Sequence, residues 1–150
     1  IIYIISIVII GRVVYRAFFG KLETVHDYHK RAANYVIYFS SKRKAIKVLD
    51  EALANLSFNE IERSSIYLQK GILYYRLKNY NKSKENFEPI LKYLKKEKFP
   101  YTKELSAVIL TYYNLGEKEK ARELYHILKG KEKYDKGFSE LSYLDRYIWK

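Results

Sequence analysis

The feature that most limits how this chain can fold is an internal period of 38 residues. Ser64 to Leu94, SSIYLQKGILYYRLKNYNKSKENFEPILKYL, reads as two amphipathic helices broken near Lys78 and Asn79. In the first, Tyr67, Gly71, Tyr74 and Leu77 recur at three- and four-residue spacing, which puts them on one face. In the second, Tyr80, Ser83, Phe87, Ile90 and Leu94 do the same. Gly71 and Ser83 are small where the paired helices would have to approach closely; a larger side chain would push the backbones apart. Moving by 38 in each direction takes Ser83 to Ala45 and Ala121, Gly71 to Ala33 and Ile109, and Tyr74 to Val36 and Tyr112. The same shift takes Leu77 to Phe39 and Leu115, Phe87 to Leu49 and Tyr125, and Ile90 to Ala52 and Leu128. Apolar or small residues hold these positions, with one serine among them. A helical hairpin cannot bury its stripe alone, so a repeated one is expected to stack on its neighbours. The expected fold is all-α.

Helix signals refine the boundaries. The first helix A runs from Leu22 to Ser40 with Val25, Ala33, Val36 and Phe39 inward, and Ser40-Ser41 forms the turn and cap. The following KRKAIKVLDEALANL is expected to bury Ala45, Leu49, Ala52 and Leu56. Asn59 and Glu62 have the spacing of a capping box. Pro100 stops the second copy, Thr102 is a candidate cap for the third helix A, and Gly116 is placed to end it. The repeats span about 22–58, 59–99 and 101–130 within a domain over 21–150. After a polar, loop-like KEKYDKG, a capping helix over 137–149 sets Leu141, Leu144 and Ile148 on one side.

Here the residues carry a resemblance. Gly71, Tyr74, Ser83 and Phe87, and again Tyr112, Gly116, Ala121 and Tyr125, resemble the pattern of tetratricopeptide repeat (TPR) proteins. That pattern has a small residue midway along helix A, an aromatic three positions on, a turn, then a small residue and an aromatic in helix B. The family period is about 34 residues, so the longer spacing here adds about one helical turn to each B-to-A segment. The large aromatic near the start of helix A is Tyr67 in the second copy but His29 and Leu105 in the others. The resemblance covers Val25 to Lys129 and implies an α-solenoid of about three hairpins, with an N-terminal apolar helix and a C-terminal capping helix added.

The resemblance also implies a concave groove lined by helices A. Counting from His26, Ser64 and Thr102, the family's groove positions fall on Asp27, Lys30, Asn34, Ile37 and Tyr38, on Ser65, Leu68, Ile72, Tyr75 and Arg76, and on Lys103, Ser106, Leu110, Tyr113 and Asn114. Such a mixed surface suits an extended or helical peptide held by aromatic anchors. Members that grip a terminal carboxylate use Lys and Asn in the first repeat, matched here by Lys30 and Asn34. They use Asn in the second, where Gln69 stands, and two basic residues in the third, where Lys103 and Ala107 stand. The implied partner is a protein, through a peptide or C-terminal segment.

The first segment, IIYIISIVIIGRVVYRAFFG, is apolar over residues 1–10 apart from Ser6. A membrane span needs about 20 such residues. There is no methionine, even at position 1, so residues upstream of Ile1 are expected to supply the rest. Residues 1–20 therefore read as the end of a single-pass N-terminal anchor, with Tyr15, Phe18 and Phe19 at the headgroup boundary. A helix buried on the first repeat and a signal-peptide core are the alternatives; no small-x-small cleavage motif follows. Arg12, Arg16 and Lys21 argue for a cytoplasmic domain, while the habit of single-span bacterial anchors favours an extracytoplasmic one, towards which the reading leans.

Chemistry is sparse. There is no cysteine, which excludes disulfides and thiolate metal sites. His26 and His29 stand one turn apart beside Glu23, but nothing obvious completes a metal site. No phosphate-binding glycine loop or nucleophile elbow is present, so no enzyme and no cofactor is expected. The net charge of +12, the clusters Lys42-Arg43-Lys44 and Lys95-Lys96-Glu97-Lys98, and 17 tyrosines would allow a nucleic-acid surface or contact with anionic lipid near the anchor. Because many tyrosines fall on the core stripe, nucleic acid is the weaker reading. The leading expectation is a membrane-anchored adaptor; the alternative is a structural subunit of a larger membrane complex.

Overall fold

The turns between helices repeat more faithfully than the side chains do. In the computed structural model, which describes residues 2–96 and 98–149, the positive-φ positions among the described residues are Ser40, Lys78 and Gly116, at 50°, 58° and 78°. They are 38 residues apart, the period read from the sequence. Each is followed by the cap of the next helix: Ser41, Asn79 and Glu117. Four residues beyond each cap stands a small, fully buried residue: Ala45, Ser83 and Ala121. Its N–H donates to the carbonyl of the cap residue at 3.2, 2.9 and 3.0 Å respectively. Ile1 of the apolar run, Glu97 of the basic cluster and Lys150 lie outside the described residues.

In chain order the helices are α1 (Ile2–Phe19), α2 (Val25–Phe39), α3 (Lys42–Ala54), α4 (Glu60–Arg76), α5 (Tyr80–Phe87), α6 (Leu91–Lys96), α7 (Ser106–Asn114), α8 (Lys118–Lys129) and α9 (Asp145–Ile148). Turns of 3-10 helix occupy Glu88–Ile90, Lys103–Leu105, Gly130–Lys133 and Lys136–Leu144, and no strand is found among the described residues. The chain divides into two compact units, Ile1–Ile66 and Tyr67–Lys150.

In the first unit, α2 starts at a complete capping box. Thr24 accepts from the Asp27 N–H at 3.2 Å, and Asp27 accepts from the Thr24 N–H at 2.9 Å. Those bonds hold the Asp27 carboxyl below its ordinary pKa, the Thr24 backbone contributing most. Against α2, the helix α3 buries Ala45, Ile46, Val48, Leu49 and Ala52. From α2 itself only Ala32 is fully buried; Val25, Ala33 and Val36, expected inward, are half-buried, and Phe39 is 58% exposed. Leu56 is also exposed, because α3 ends at Ala54 and its stripe ends there. The predicted capping box at Asn59 and Glu62 forms, at 2.8 and 2.9 Å.

Among the described residues no helix is long and apolar enough to cross a membrane. This overturns the single-pass anchor expected over 1–20, and with it the membrane localisation. The helix α1 has 18 residues, about 27 Å at ~1.5 Å per residue. Arg12 and Arg16 interrupt its apolar run. Its end is tied to α2 instead. Arg31 donates to the carbonyls of Ala17 and Gly20, placing a cation at a helix C-terminus. Phe18 packs edge-on against Tyr35 and Phe39, with centroids 5.3 and 5.1 Å away.

The second unit holds the larger core. Phe87, Ile90, Leu94, Leu105, Ile109, Tyr112, Leu124, Leu128, Phe138, Leu141 and Leu144 are each 1% exposed or less. Gly71 lies against the ring of Phe87, so that a Cβ there would stand 2.3 Å from it. The small residue read from the sequence is thus required by the approach of α4 to α5. Ser83 donates to the Gly71 carbonyl at 2.8 Å, Thr111 to the Ala107 carbonyl at 2.7 Å, and the two hydroxyls lie 2.9 Å apart. Two hydroxyl protons therefore serve three close contacts, all buried. Leu77, expected on this face, is exposed at the end of α4.

Two helices expected to be continuous are not. The second helix B divides at Pro89 into α5, a 3-10 turn and α6, because proline has no N–H to give the helix ladder. The expected capping helix is 3-10 over Lys136–Leu144 and α-helical only over Asp145–Ile148. Three residues per turn stack Phe138, Leu141 and Leu144 one above another, and all are buried. Part of the polar KEKYDKG is likewise a 3-10 turn. Thr102 occupies the cap position of the third helix A without making a side-chain capping bond.

Candidate functional site

The groove residues expected from the sequence fall in both units. In the first, Lys30 is exposed, Asn34 half-buried, and Ile37 and Tyr38 are each 70% exposed. Asp27 is engaged in the cap of α2. Ser65 donates to the Glu62 carbonyl at 2.7 Å and meets His29 Nε2 at 3.0 Å. Glu23, the carboxylate beside the two histidines, pairs with Lys21 at 2.7 Å. The carboxylate-gripping set is divided, Lys30 and Asn34 in one unit and Gln69 and Lys103 in the other.

In the second unit, five of the expected residues converge: Ile72, Tyr75, Arg76, Lys103 and Ser106. Ile72, Tyr75 and Arg76 from α4 line an open pocket of about 220 Å³ with Lys103 and Glu104 of the following 3-10 turn and Ser106 and Ala107 of α7. Residues three and four apart share a helix face, so Ile72, Tyr75 and Arg76 stand together on α4. The 3-10 turn at Lys103–Leu105 brings the start of the next helix A to them. Ile72 and Ala107 give the pocket an apolar part. Tyr75 supplies a hydroxyl; burial first, then Tyr80 and Tyr143, raises its pKa above the ordinary phenol value, so it is a neutral donor at physiological pH. Ser106 donates to the Lys103 carbonyl at 2.8 Å.

Charge in the pocket is of both signs. Arg76 meets Glu104 at 3.4 Å, both half-exposed, while Lys103 makes no ion pair among the described residues. Such an exposed pair contributes little to stability. Glu104, in the 3-10 turn, and Ala107 were not expected as lining residues. The remaining expected residues are placed differently. Leu68, Leu110 and Tyr113 pack against the core as half-buried side chains. Asn114 donates to the Leu110 carbonyl at 2.6 Å.

Comparison of the chain with protein-family models, with curated proteins and with solved structures finds no match.

Proposed function

We propose that this chain is a TPR-like adaptor that holds a peptide segment of a partner protein, and that the pocket of the second unit is where it does so. The observation that carries this reading is that two successive helices A, α4 and α7, together line one pocket with apolar, hydroxyl and cationic groups. Support comes from the 38-residue recurrence of the left-handed turn and of the buried small residue after it. Lys103, with no ion pair among the described residues, favours peptides with an acidic side chain or a terminal carboxylate over basic ones. The role is binding rather than catalysis.

Peptides selected from a random display library against the full chain test this. Bound ligands should shift the amide resonances of residues 72–76 and 103–107, and Tyr75→Ala with Lys103→Glu should remove binding while helical content is kept. Ligands that map elsewhere and survive both changes would end the groove reading. A second reading, a fixed subunit of a larger assembly, is favoured by α1, where Ile7, Ile9, Ile10, Val13 and Tyr15 are each more than half exposed. It requires the full chain to sediment as an assembly at micromolar concentration.

A further inference from the structure

A second surface of the Tyr67–Lys150 unit has a different chemistry. The rings of Tyr93 and Phe99 stack with centroids 6.0 Å apart and an interplanar angle of 16°. Phe99 meets the buried Phe138 at 5.9 Å, and Tyr134 meets the same ring at 6.3 Å. The Tyr134 hydroxyl donates to the Phe99 carbonyl, so the exposed ring, 42% accessible, is fixed to the core behind it. Two ammonium groups lie over this aromatic platform. Lys98 stands 6.0 Å from the Tyr134 centroid and Lys131 stands 4.9 Å from that of Phe99.

Two acidic groups beside it, among the described residues, are turned to other partners. Glu132 pairs with Lys129 at 2.8 Å. Asp135 accepts from the N–H groups of Tyr101 and Gly137, both at 2.8 Å. Lys133 and Lys136, which flank Tyr134 in sequence, are exposed and make no ion pair among the described residues. The result is an exposed ring with cations on and around it, in a chain of net charge +12.

We propose that this platform binds single-stranded nucleic acid, with a base stacked on Tyr134 and the neighbouring phosphates met by Lys98 and Lys131. Strand binding without sequence preference needs both parts, an aromatic face for the base and a cationic track for the backbone. A duplex hides its base faces, and an acidic peptide would engage the lysines and leave the ring unused. A base arriving on Tyr134 takes the place of the Lys98 ammonium over the ring and releases it to the phosphate beside the stacked nucleotide. The surface shares no residue with the peptide pocket, so the two readings stand or fall separately. The tyrosines that argued against nucleic acid in the sequence were those of the core stripe; Tyr134 is not one of them.

Fluorescence anisotropy of a labelled oligothymidylate of about 20 nucleotides, longer than the ~4–16-nucleotide sites of single-strand binders, tests this with the full chain. Affinity should fall linearly on logarithmic axes between about 50 and 200 mM salt. Tyr134→Ala should weaken binding about tenfold at every salt concentration with the slope unchanged, as the loss of one stacked base requires. Tyr134→Phe, which keeps the ring and loses the hydroxyl, should bind within about twofold of the parent. Lys98→Gln with Lys131→Gln should flatten the slope by about 1.4, from ~0.7 per phosphate contact on a single strand. The proposal is overturned by any of three results. These are no binding at the lowest salt, an unchanged slope in the double lysine variant, or equal competition by a duplex or by polyglutamate.

Discussion

The two units use the same turn and build very different cores on it. Ser40, Lys78 and Gly116 all take the left-handed conformation, and Ala45, Ser83 and Ala121 all follow with the same backbone hydrogen bond and full burial. Yet α2 in the first unit fully buries only Ala32, whereas α7 in the second buries Ala107, Val108, Ile109, Thr111 and Tyr112. In the second unit α7 packs on both α5 and α8, and the 3-10 cap packs on α8, so α7 is covered on more than one side. The first offers α2 one helix-long partner, α3, and the aromatic end of α1. The lesson is that a repeat period specifies the turn and the register of helix B, while the depth of burial of helix A depends on what else is packed against it.

The largest expected break in this comparison sets two phenylalanines side by side. Phe87→Ala should cost about 3–5 kcal/mol, as for a fully buried aromatic, while Phe39→Ala, at an exposed position, should cost less than about 1 kcal/mol. Urea denaturation of both variants measures the contrast, and similar losses would show that the first unit is as well packed as the second. Next comes the approach of α4 to α5. Gly71→Ala should cost roughly 1–3 kcal/mol because the added methyl meets the Phe87 ring. Adding Phe87→Leu to it should cost less than the two single changes summed, since they share one contact.

The turns give smaller effects of both signs. Gly116→Ala should destabilise by about 1–2 kcal/mol, the cost of a left-handed non-glycine residue. Lys78→Gly and Ser40→Gly should each gain up to about 1 kcal/mol by relieving it, less the entropy glycine adds to the unfolded chain. A loss at either position in thermal or urea unfolding would mean that its side chain, not its backbone, is what matters there.

The smallest effect is acidic. Hydrogen bonds from the backbone of Tyr101, then Gly137, lower the Asp135 pKa in the folded state. A depressed folded pKa stabilises above the unfolded value and is lost as pH falls through the folded one. The amides of Tyr101 and Gly137 should therefore lose hydrogen-exchange protection below about pH 4, and Asp135→Asn should remove that dependence. Asp27 in the first unit behaves alike, through the Thr24 backbone first, so protection at Thr24 should fade in the same range. A pH-independent Tyr101 amide would separate the cap of the second unit from its carboxylate.

Much of the candidate pocket was legible, because Ile72, Tyr75, Arg76 and Lys103 follow from a helix face and a repeat register. Glu104 was not, since none of the groove positions of the repeat pattern falls on it. The left-handed turn was legible at Gly116, where glycine adopts positive φ freely. At Ser40 and Lys78 the residue type gives no such sign. The aromatic platform at Tyr134 was hidden for another reason: it lies in a polar stretch without helical periodicity, and only the packing of Phe99 and Phe138 makes it a surface.

Sequence alone determined that this chain is helical, that it repeats every 38 residues, and that small residues stand where helices B meet their neighbours. Those are properties of spacing and side-chain volume, which act within a few turns of helix. The tertiary structure decided that no described helix is long and apolar enough to cross a membrane, that Pro89 splits the second helix B, and that the cap winds as 3-10 helix. It also decided which stripe residues are buried, leaving Phe39, Leu56 and Leu77 exposed. Periodicity names a face of a helix, but burial needs a second element lying on that face, and only the packed chain supplies it.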